Sequence, residues 1–349
     1  MFRRIAVRRS VTMTAMKRAL VFGAACLLMA LPAAAKDLKI FFIDVEGGQA
    51  TLIVSPSGES MLVDAGWPGS NGRDADRIAA AAKRAGISHI DYMLLTHYHV
   101  DHVGGIPAIA ARLPIRHFID HGDNTEMGSP AVGNPAEYYK IRTPEKHIIA
   151  KPGDRIPLKG VDIKVVAARG ELITSALPGG GQPTPGCAET PEKEPDPTEN
   201  ARSVAFILTY GKFRFADLVD LTWNKELALV CPNNLLGKAD VFLVNHHGLD
   251  ISNAPPLLNA LSPRVAIMNN GARKGGVAAA MRWIRNTPGL EDMWQLHYAT
   301  QSGDANAPEQ FIANMEARCE GHSIELTARE DGSFTLVNTR NGFTKEYKR

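Results

Sequence analysis

Three histidines and one aspartate lie within six residues, in the segment His97-Tyr98-His99-Val100-Asp101-His102. The segment follows an apolar stretch, 91–96, that is typical of a buried β-strand. Histidine and aspartate side chains cost free energy to bury unless they are paired or bind a metal. Imidazole and carboxylate ligands suit zinc, with iron or manganese as alternatives. The pattern therefore predicts a metal site at the end of this strand rather than a histidine-rich surface turn.

Side chains at a strand end and the helix start that follows it can point to two sides. We therefore expect His97 and His99 to face one metal ion, and Asp101 and His102 to face a second one.

The elements that must position this segment form an α/β pattern, because apolar and β-branched stretches alternate with helical patterns. Strands are predicted over 40–45, 51–55 and 61–64, with glycine-containing turns between them. An alanine-rich helix is predicted over 73–85, ending at Gly86. Three consecutive strands favour antiparallel hairpins over a doubly wound sheet.

The composition is that of a globular chain with a large core, since 44% of the 349 residues are hydrophobic and 22% are charged. After residue 35 the chain has Cys187, Cys231 and Cys319, too few for a disulfide scaffold, although one pair could oxidise in an exported protein. The Pro- and Gly-rich stretch 170–200 is interpreted as a solvated insertion, with a lid as the alternative.

Residues 1–35 have the features of an export signal. Two basic residues, Lys17 and Arg18, precede an apolar stretch over 19–31 and three small residues at 33–35. The apolar stretch is shorter than the roughly 20 residues that span a bilayer. We therefore predict that the signal is removed, and a retained membrane anchor is the alternative. The expected location is periplasmic or secreted, with no membrane span after signal removal.

The motif at 97–102 resembles the HxHxDH signature of the metallo-β-lactamase superfamily. Within it, the chain looks most similar to ComEC-type hydrolase domains, because Asp44-Val45-Glu46-Gly47-Gly48-Gln49-Ala50 and Leu62-Val63-Asp64-Ala65-Gly66 precede the motif in the order typical of that subgroup. The resemblance covers nearly all of the chain after residue 35. It implies a four-layered αβ/βα sandwich in a single hydrolase domain over residues 36–349.

The resemblance also implies a set of metal ligands, namely His97, His99, Asp101, His102, Asp220 and His246. Asp220 falls on the aspartate that bridges two metals in the superfamily. Of the adjacent histidines, we expect His246, directly after a strand, to close the second site, and His247 to contact substrate or protonate a leaving group. Asp101 would orient or deprotonate the attacking water. The expected cofactor is one or two Zn²⁺ ions, with Mn²⁺ or Fe²⁺ as alternatives.

Many superfamily members have a third histidine at the first metal, and the corresponding stretch 167–170 offers no ligand. His121 or Asn200 could take its place, so occupancy by one or by two metals stays open. His121 and Arg273 are the predicted substrate residues, with a surface turn and a solvated loop as their respective alternatives.

The predicted activity is hydrolysis of phosphodiester bonds by a metal-activated hydroxide, in a nuclease-like enzyme or a small phosphodiesterase. A β-lactam or cyclic ester or amide hydrolase, and a non-catalytic binding protein on a degenerate metal site, are the alternatives. The whole chain has a net charge of +2, but residues 1–35 carry six basic and no acidic residues, which leaves a net charge of −4 on the remainder. Because long nucleic acids need a basic face, the expected partner is a small-molecule or short phosphodiester substrate, with no stable nucleic-acid partner. No oligomeric state is predicted.

Overall fold

The computed structural model describes residues 1–2 and 37–349, and residues 37–349 belong to one compact unit. The predicted export signal over 1–35 lies outside the described residues, apart from Met1 and Phe2. None of the helices between residues 37 and 349 is long and apolar enough to cross a bilayer.

The first sheet has nine strands in the order β18-β17-β16-β1-β2-β3-β4-β5-β6. Their bounds are β1 Leu38–Phe42, β2 Thr51–Val54, β3 Ser60–Val63, β4 Ile90–Leu94, β5 Ile115–Asp120, β6 His147–Ile149, β16 Ile324–Ala328, β17 Phe334–Asn338 and β18 Thr344–Tyr347. The strands from β3 to β6 are parallel to one another, and the remaining pairs are antiparallel.

The second sheet also has nine strands, in the order β15-β14-β13-β12-β11-β10-β8-β7, with β9 paired to β8. Their bounds are β7 Arg155–Ile156, β8 Asp162–Ala168, β9 Glu171–Leu172, β10 Ala205–Tyr210, β11 Phe213–Asp217, β12 Val241–Leu243, β13 Val265–Met268, β14 Asp292–His297 and β15 Ile312–Asn314. The strands from β11 to β15 are parallel.

The α-helices are α1 Arg73–Ala85, α2 Val100–Val103, α3 Ile106–Ala110, α4 Pro135–Ile141, α5 Trp223–Val230, α6 Pro255–Leu261 and α7 Ala278–Arg285. Alternate residues of β1 enter two different cores. Ile40 packs in the core between the sheets with Val165 of β8, whereas Phe41 joins Ile78 of α1 in the core outside the first sheet. On the second sheet, Leu257 of α6 belongs to the same cluster as Val241 of β12. Two sheets with helices outside them form the four-layered αβ/βα sandwich, as predicted.

The antiparallel opening of the chain is confirmed by the pairing of β1 with β2 and of β2 with β3. The predicted helix over 73–85 coincides with α1, which ends at Gly86 in the left-handed conformation. The three C-terminal strands β16, β17 and β18 are an addition that the sequence analysis did not include.

Candidate metal centre

The residues of the predicted metal site come from strand ends in both sheets. In the first sheet, His97 lies just after β4, and the short helix α2 carries Asp101 and His102. In the second sheet, Asp220 follows β11, and a 3₁₀ turn at Asn245–Gly248 follows β12. Because β11 and β12 are parallel neighbours, their carboxyl ends lie at the same edge of the second sheet.

Asp220 is the meeting point of the histidines. Its Oδ2 atom is 3.3 Å from Nε2 of His102 and 3.4 Å from Nε2 of His247. The same oxygen is 3.6 Å from Nε2 of His246 and 3.9 Å from Nε2 of His97. One carboxylate oxygen thus faces four imidazole nitrogens, which is the environment expected of a shared metal ligand.

Several of these nitrogens are buried without a hydrogen-bond partner in the described part of the chain. They are Nε2 of His97, Nε2 of His102 and both ring nitrogens of His247. An unsatisfied buried polar atom costs about 1–3 kcal/mol, so the arrangement calls for a further ligand. Two groups of three side chains each have their ligand atoms within 4.8 Å of one another. The first group is His97, His102 and Asp220, and the second is Asp101, His102 and His247. This donor set fits a divalent metal.

The electrostatics agree with that fit. Burial would raise the pKa of Asp220 and of Asp101, but the facing histidines hold both well below their usual range. Burial and the neighbouring imidazoles lower the pKa of His97 well below its usual value. Both carboxylates are therefore anionic and His97 is neutral, which are the forms that bind a metal.

Asp64 fixes the orientation of His102. Burial is complete for both side chains, and Oδ2 of Asp64 accepts a hydrogen bond from Nδ1 of His102 at 2.7 Å. Asp64 also accepts from the backbone N–H of Thr96 at 2.8 Å and from its hydroxyl at 2.6 Å. A carboxylate behind a histidine directs the other ring nitrogen toward the metal. Asp64 belongs to the motif over 62–66, but its role in orienting His102 was not predicted from the sequence.

His99 belongs to neither group of ligand atoms within 4.8 Å. Its ring packs edge-on against His97, with the centroids 4.7 Å apart. Its Nε2 atom contacts Oε2 of Glu126 at 3.1 Å, so Nδ1 is the atom of His99 that can ligate. Glu126 therefore plays the same orienting part for His99 that Asp64 plays for His102.

The two adjacent histidines lie at different positions around the carboxylates of the centre. His247 is fully buried, and its Nε2 lies 3.2 Å from Oδ2 of Asp101, whereas we expected His246 to complete this group. His246 remains beside Asp220, with Nδ1 at 3.4 Å from the hydroxyl of Ser252. Both histidines have left-handed φ values, 51° and 53°, so they lie in a tight turn and not in an extension of the strand that precedes them.

The loop with these histidines is held by a buried acid of α5. Glu226 accepts hydrogen bonds from the side chain of Asn245 and from the backbone N–H groups of Asn253 and Ala254, at 2.5 to 2.8 Å. Burial raises the pKa of Glu226 to about 7, although these donors oppose the shift. The loop geometry therefore depends on a side chain for which the sequence gave no signal.

Asp217 is a second buried acid near the centre. Burial raises its pKa to about 8, and the charges of Asp64 and Asp220 add to the shift. Asp217 is therefore protonated at neutral pH, so the site contains a neutral carboxyl group beside its anionic ligands.

His121, a predicted substrate residue, is not among the residues at the centre. It is fully buried, and its Nε2 contacts Oε2 of Glu199 at 2.8 Å. The same Glu199 accepts hydrogen bonds from the backbone N–H and the hydroxyl of Thr125, both at 2.8 Å. His121 therefore serves to hold the 121–125 and 199–202 segments together.

Arg273, the second predicted substrate residue, is exposed, and its neighbour Lys274 contacts the centre instead. The ammonium of Lys274 pairs with Oδ2 of Asp101 and lies 4.8 Å from the ring centroid of Trp67. The side chain of Lys274 is 34% exposed, so this charge is accessible from solvent.

The stretch 170–200 begins with β9 and is then attached to α5 and to the residues that follow this helix. A disulfide joins Cys187 to Cys231, and Cys319 is the free cysteine in the described residues. Lys193 exchanges hydrogen bonds with Asn224 of α5, and its ammonium lies 3.6 Å from the ring centroid of Trp223. Most residues of the stretch are exposed, and these contacts attach it to the helix α5 and the segment after it.

This stretch also forms one wall of a cavity of about 330 Å³. Asn200 and Thr222 line it together with Trp223 and Ile251. Thr222 comes two residues after Asp220, so the cavity adjoins the metal centre. The Oδ1 atom of Asn200 is buried and has no hydrogen-bond partner among the described residues.

A family model described as the metallo-beta-lactamase superfamily matches residues 43–189, the part that contains the histidine motif. Together with the four-layered fold and the histidine–aspartate groups, this match supports a metallo-hydrolase with the metallo-β-lactamase fold.

Among curated proteins, the chain is similar to "Recombination protein 2" of Haemophilus influenzae, with 26% identity over 231 residues, 66% of this chain and 24% of the relative. It is also 28% identical over 138 residues to "Hydroxyacylglutathione hydrolase" of Acidiphilium cryptum, covering 40% of this chain and 47% of the relative. The chain thus spans about a quarter and about half of the length of these relatives. A similar solved structure is the metallo-beta-lactamase fold protein YhfI of Bacillus subtilis, with a TM-score of 0.46, 13% identity and coverage of 74% and 96%.

Proposed function

We propose that this metallo-hydrolase cleaves a small or short phosphodiester outside the cytoplasm. The observation that carries the proposal is the position of Lys274 at the metal centre, in contact with Asp101. A phosphodiester is anionic at neutral pH, and an ammonium beside the metal ligands would hold its charged oxygen.

Two groups of side chains would hold the metal, with Asp220 in the first and Asp101 and His247 in the second. A divalent metal bound there supplies Lewis acidity and lowers the pKa of the water that it binds. Asp101 orients that water or accepts its proton, and Lys274 then binds the substrate in place of its contact with Asp101. His246 is 10% exposed and lies beside Asp220, which suits a contact with the leaving group.

The relatives favour this substrate class without deciding it. The match to "Recombination protein 2" covers 66% of the chain, and recombination is a process of nucleic acids, whose backbone is a phosphodiester. The name "Hydroxyacylglutathione hydrolase" favours a thioester as the second candidate, although that match covers less of the chain. A β-lactam would also present an anionic group to Lys274, and it is therefore included in the test.

Export is part of the same proposal. The disulfide between Cys187 and Cys231 supports it, because disulfides persist in oxidising compartments. The basic and apolar residues at 17–31 support it from the sequence. Fractionation of cells that express the full chain tests this: recovery from the periplasm is expected, and loss of that fraction when residues 1–35 are deleted is the control.

The substrate class is tested by turnover of bis(p-nitrophenyl) phosphate, a chromogenic cephalosporin and S-lactoylglutathione on the same zinc-loaded preparation. We expect the phosphodiester to be cleaved fastest, and we expect His97→Ala to abolish cleavage. If the cephalosporin or the thioester is turned over faster, that compound class would be the substrate in place of the phosphodiester. Less than one equivalent of metal, with no turnover after addition of zinc or manganese, would contradict every enzymatic candidate.

A further inference from the structure

A second cluster of metal-binding side chains lies outside the centre described above. It consists of Asp44, Glu46, His297 and Cys319, and we call it the Cys319 cluster. Asp44 and Glu46 belong to the turn after β1, and His297 is the last residue of β14. The cluster thus joins the first sheet, the second sheet and the segment between β15 and β16.

The four side chains converge at short distances. Nε2 of His297 is 2.7 Å from Oδ1 of Asp44 and 3.6 Å from Oε2 of Glu46. The Sγ atom of Cys319 is 3.2 Å from Asp44, 3.4 Å from Glu46 and 4.0 Å from Nε2 of His297. In tetrahedral zinc sites the bonds are about 2.0–2.3 Å, which puts ligand atoms roughly 3.3–3.6 Å from one another. The cluster therefore has nearly the spacing of a zinc site.

We propose that Asp44, Glu46, His297 and Cys319 bind a structural Zn²⁺ ion that is separate from the catalytic centre. The four ligand types are those of zinc sites in proteins, and four protein ligands without an open position are typical of a structural role. Binding releases the thiol proton of Cys319 to solvent, and no electron is transferred.

Arg77 of α1 fits this proposal as a neighbour that orients the ligands. Its Nη1 donates to Oδ2 of Asp44 at 2.7 Å and to Oε1 of Glu46 at 3.2 Å. The other oxygen of each carboxylate faces His297. Two carboxylates and a thiolate carry three negative charges, which one Zn²⁺ and one guanidinium balance. Arg77 thus completes the charge balance, and its Nη2 atom, which donates to Sγ of Cys319 at 3.5 Å, would give up that contact to the ion.

An ion at the Cys319 cluster would stiffen one wall of the catalytic centre. The turn that contains Asp44 and Glu46 continues into Gly47, which packs so closely on Gly271 that a Cβ atom at Gly47 would lie 2.7 Å from the backbone nitrogen of Gly271. Gly271 begins the loop that carries Lys274, whose Cβ also approaches Gly47. The ion would therefore hold the wall against which Lys274 is positioned.

The test is the absorption spectrum of the full chain after its zinc has been replaced by Co²⁺. We expect a thiolate-to-cobalt charge-transfer band, because Cys319 would bind the ion of the Cys319 cluster, whereas the catalytic centre offers only histidine and aspartate ligands. Cys319→Ser should remove the band and one equivalent of zinc. His97→Ala should keep the band, which makes it the control.

A wild-type protein that binds cobalt without a thiolate band would overturn the proposal. This measurement is made on the wild-type protein, so it does not depend on whether a variant folds. A band that persists in Cys319→Ser, or a zinc content equal in Cys319→Ser and wild type, would also overturn it. His97→Ala separates this site from the proposed function, because it should abolish hydrolysis and leave the thiolate band.

Discussion

Oδ2 of Asp64 lies 2.7 Å from Nδ1 of His102, and this contact sets the direction of the ring that faces Asp220. Asp64 itself has a left-handed backbone, with φ at 55°, at the carboxyl end of β3. The aspartate that ends a strand in the first sheet thus orients a metal ligand toward a residue of the second sheet.

Replacing Asp64 with asparagine tests this contact. Asparagine tolerates the left-handed backbone, but it has one acceptor oxygen and cannot accept both from Nδ1 of His102 and from the backbone N–H of Thr96, which bond different oxygens of Asp64. We expect Asp64→Asn to weaken metal binding about 10- to 100-fold, as is usual when the partner of a metal-binding histidine is lost. Competition with a chelator measures the affinity. The exposed Asp76→Asn is the control, and equal affinities in the two variants would contradict the role of Asp64.

The two adjacent histidines should respond differently to truncation. His247→Ala removes a buried ligand candidate, so we expect a loss of about one metal equivalent and of at least 100-fold in turnover. His246→Ala should keep the metal content and reduce turnover about tenfold. Elemental analysis and kinetics on the same samples measure both quantities. A greater metal loss in His246→Ala than in His247→Ala would restore the order that the sequence suggested.

Lys274 should control the binding of anionic substrates. A hydrogen bond to a charged group contributes about 1.5–3 kcal/mol, so Lys274→Ala should raise KM for a phosphodiester about tenfold or more. Arg273→Ala, next to it in the same loop, should change KM less than twofold because its side chain is exposed. Steady-state kinetics at low and moderate salt measure the effect. Equal changes in the two variants would argue against a specific role of Lys274.

Glu199 should make stability depend on acid pH. Burial alone would raise its pKa, but the contacts with His121 and Thr125 outweigh burial and lower the pKa to about 2. The unfolded chain titrates near 4.5, so this stabilisation is present above pH 4.5 and is lost as the pH falls toward 2. We expect Glu199→Gln to reduce the free energy of unfolding more at pH 7 than at pH 3. Urea unfolding at both pH values measures it, and a pH-independent difference would refute the assignment.

The disulfide should stabilise the attachment of the 170–200 stretch to the residues that follow α5. Cys187 and Cys231 are 44 residues apart, and closing a loop of that size contributes about 2–4 kcal/mol. We expect Cys231→Ser to lower the free energy of unfolding by this amount under oxidising conditions. Reduction of the wild type should have the same effect, and the reduced variant should show no further loss.

The parts of the structure that the sequence predicted are those encoded by local patterns. Alanine spacing and Gly86 were enough for α1, and the histidine spacing after an apolar stretch was enough for the position of His97 and His102 at a strand end. The order of His246 and His247 was not predictable, because it depends on two left-handed residues in succession. The contact of Lys274 with Asp101 joins distant parts of the chain, and no local pattern encodes it.

The sequence pattern of two of the C-terminal strands, β16 and β17, could have predicted them. Buried and half-buried residues alternate in β16 and in β17, as expected for strands with one face in the core. The sequence gives no indication of their partner, however, since β16 pairs with β1 at the opposite end of the described domain.

This pairing of β1 with β16 also fixes the order of folding. Leu38 is opposite Ala328, so the middle of the first sheet stays open until residues 324–328 have been synthesised. Pairings between strands so far apart in sequence form slowly, because a long loop must close first. The half-made chain therefore has no complete sheet on the ribosome.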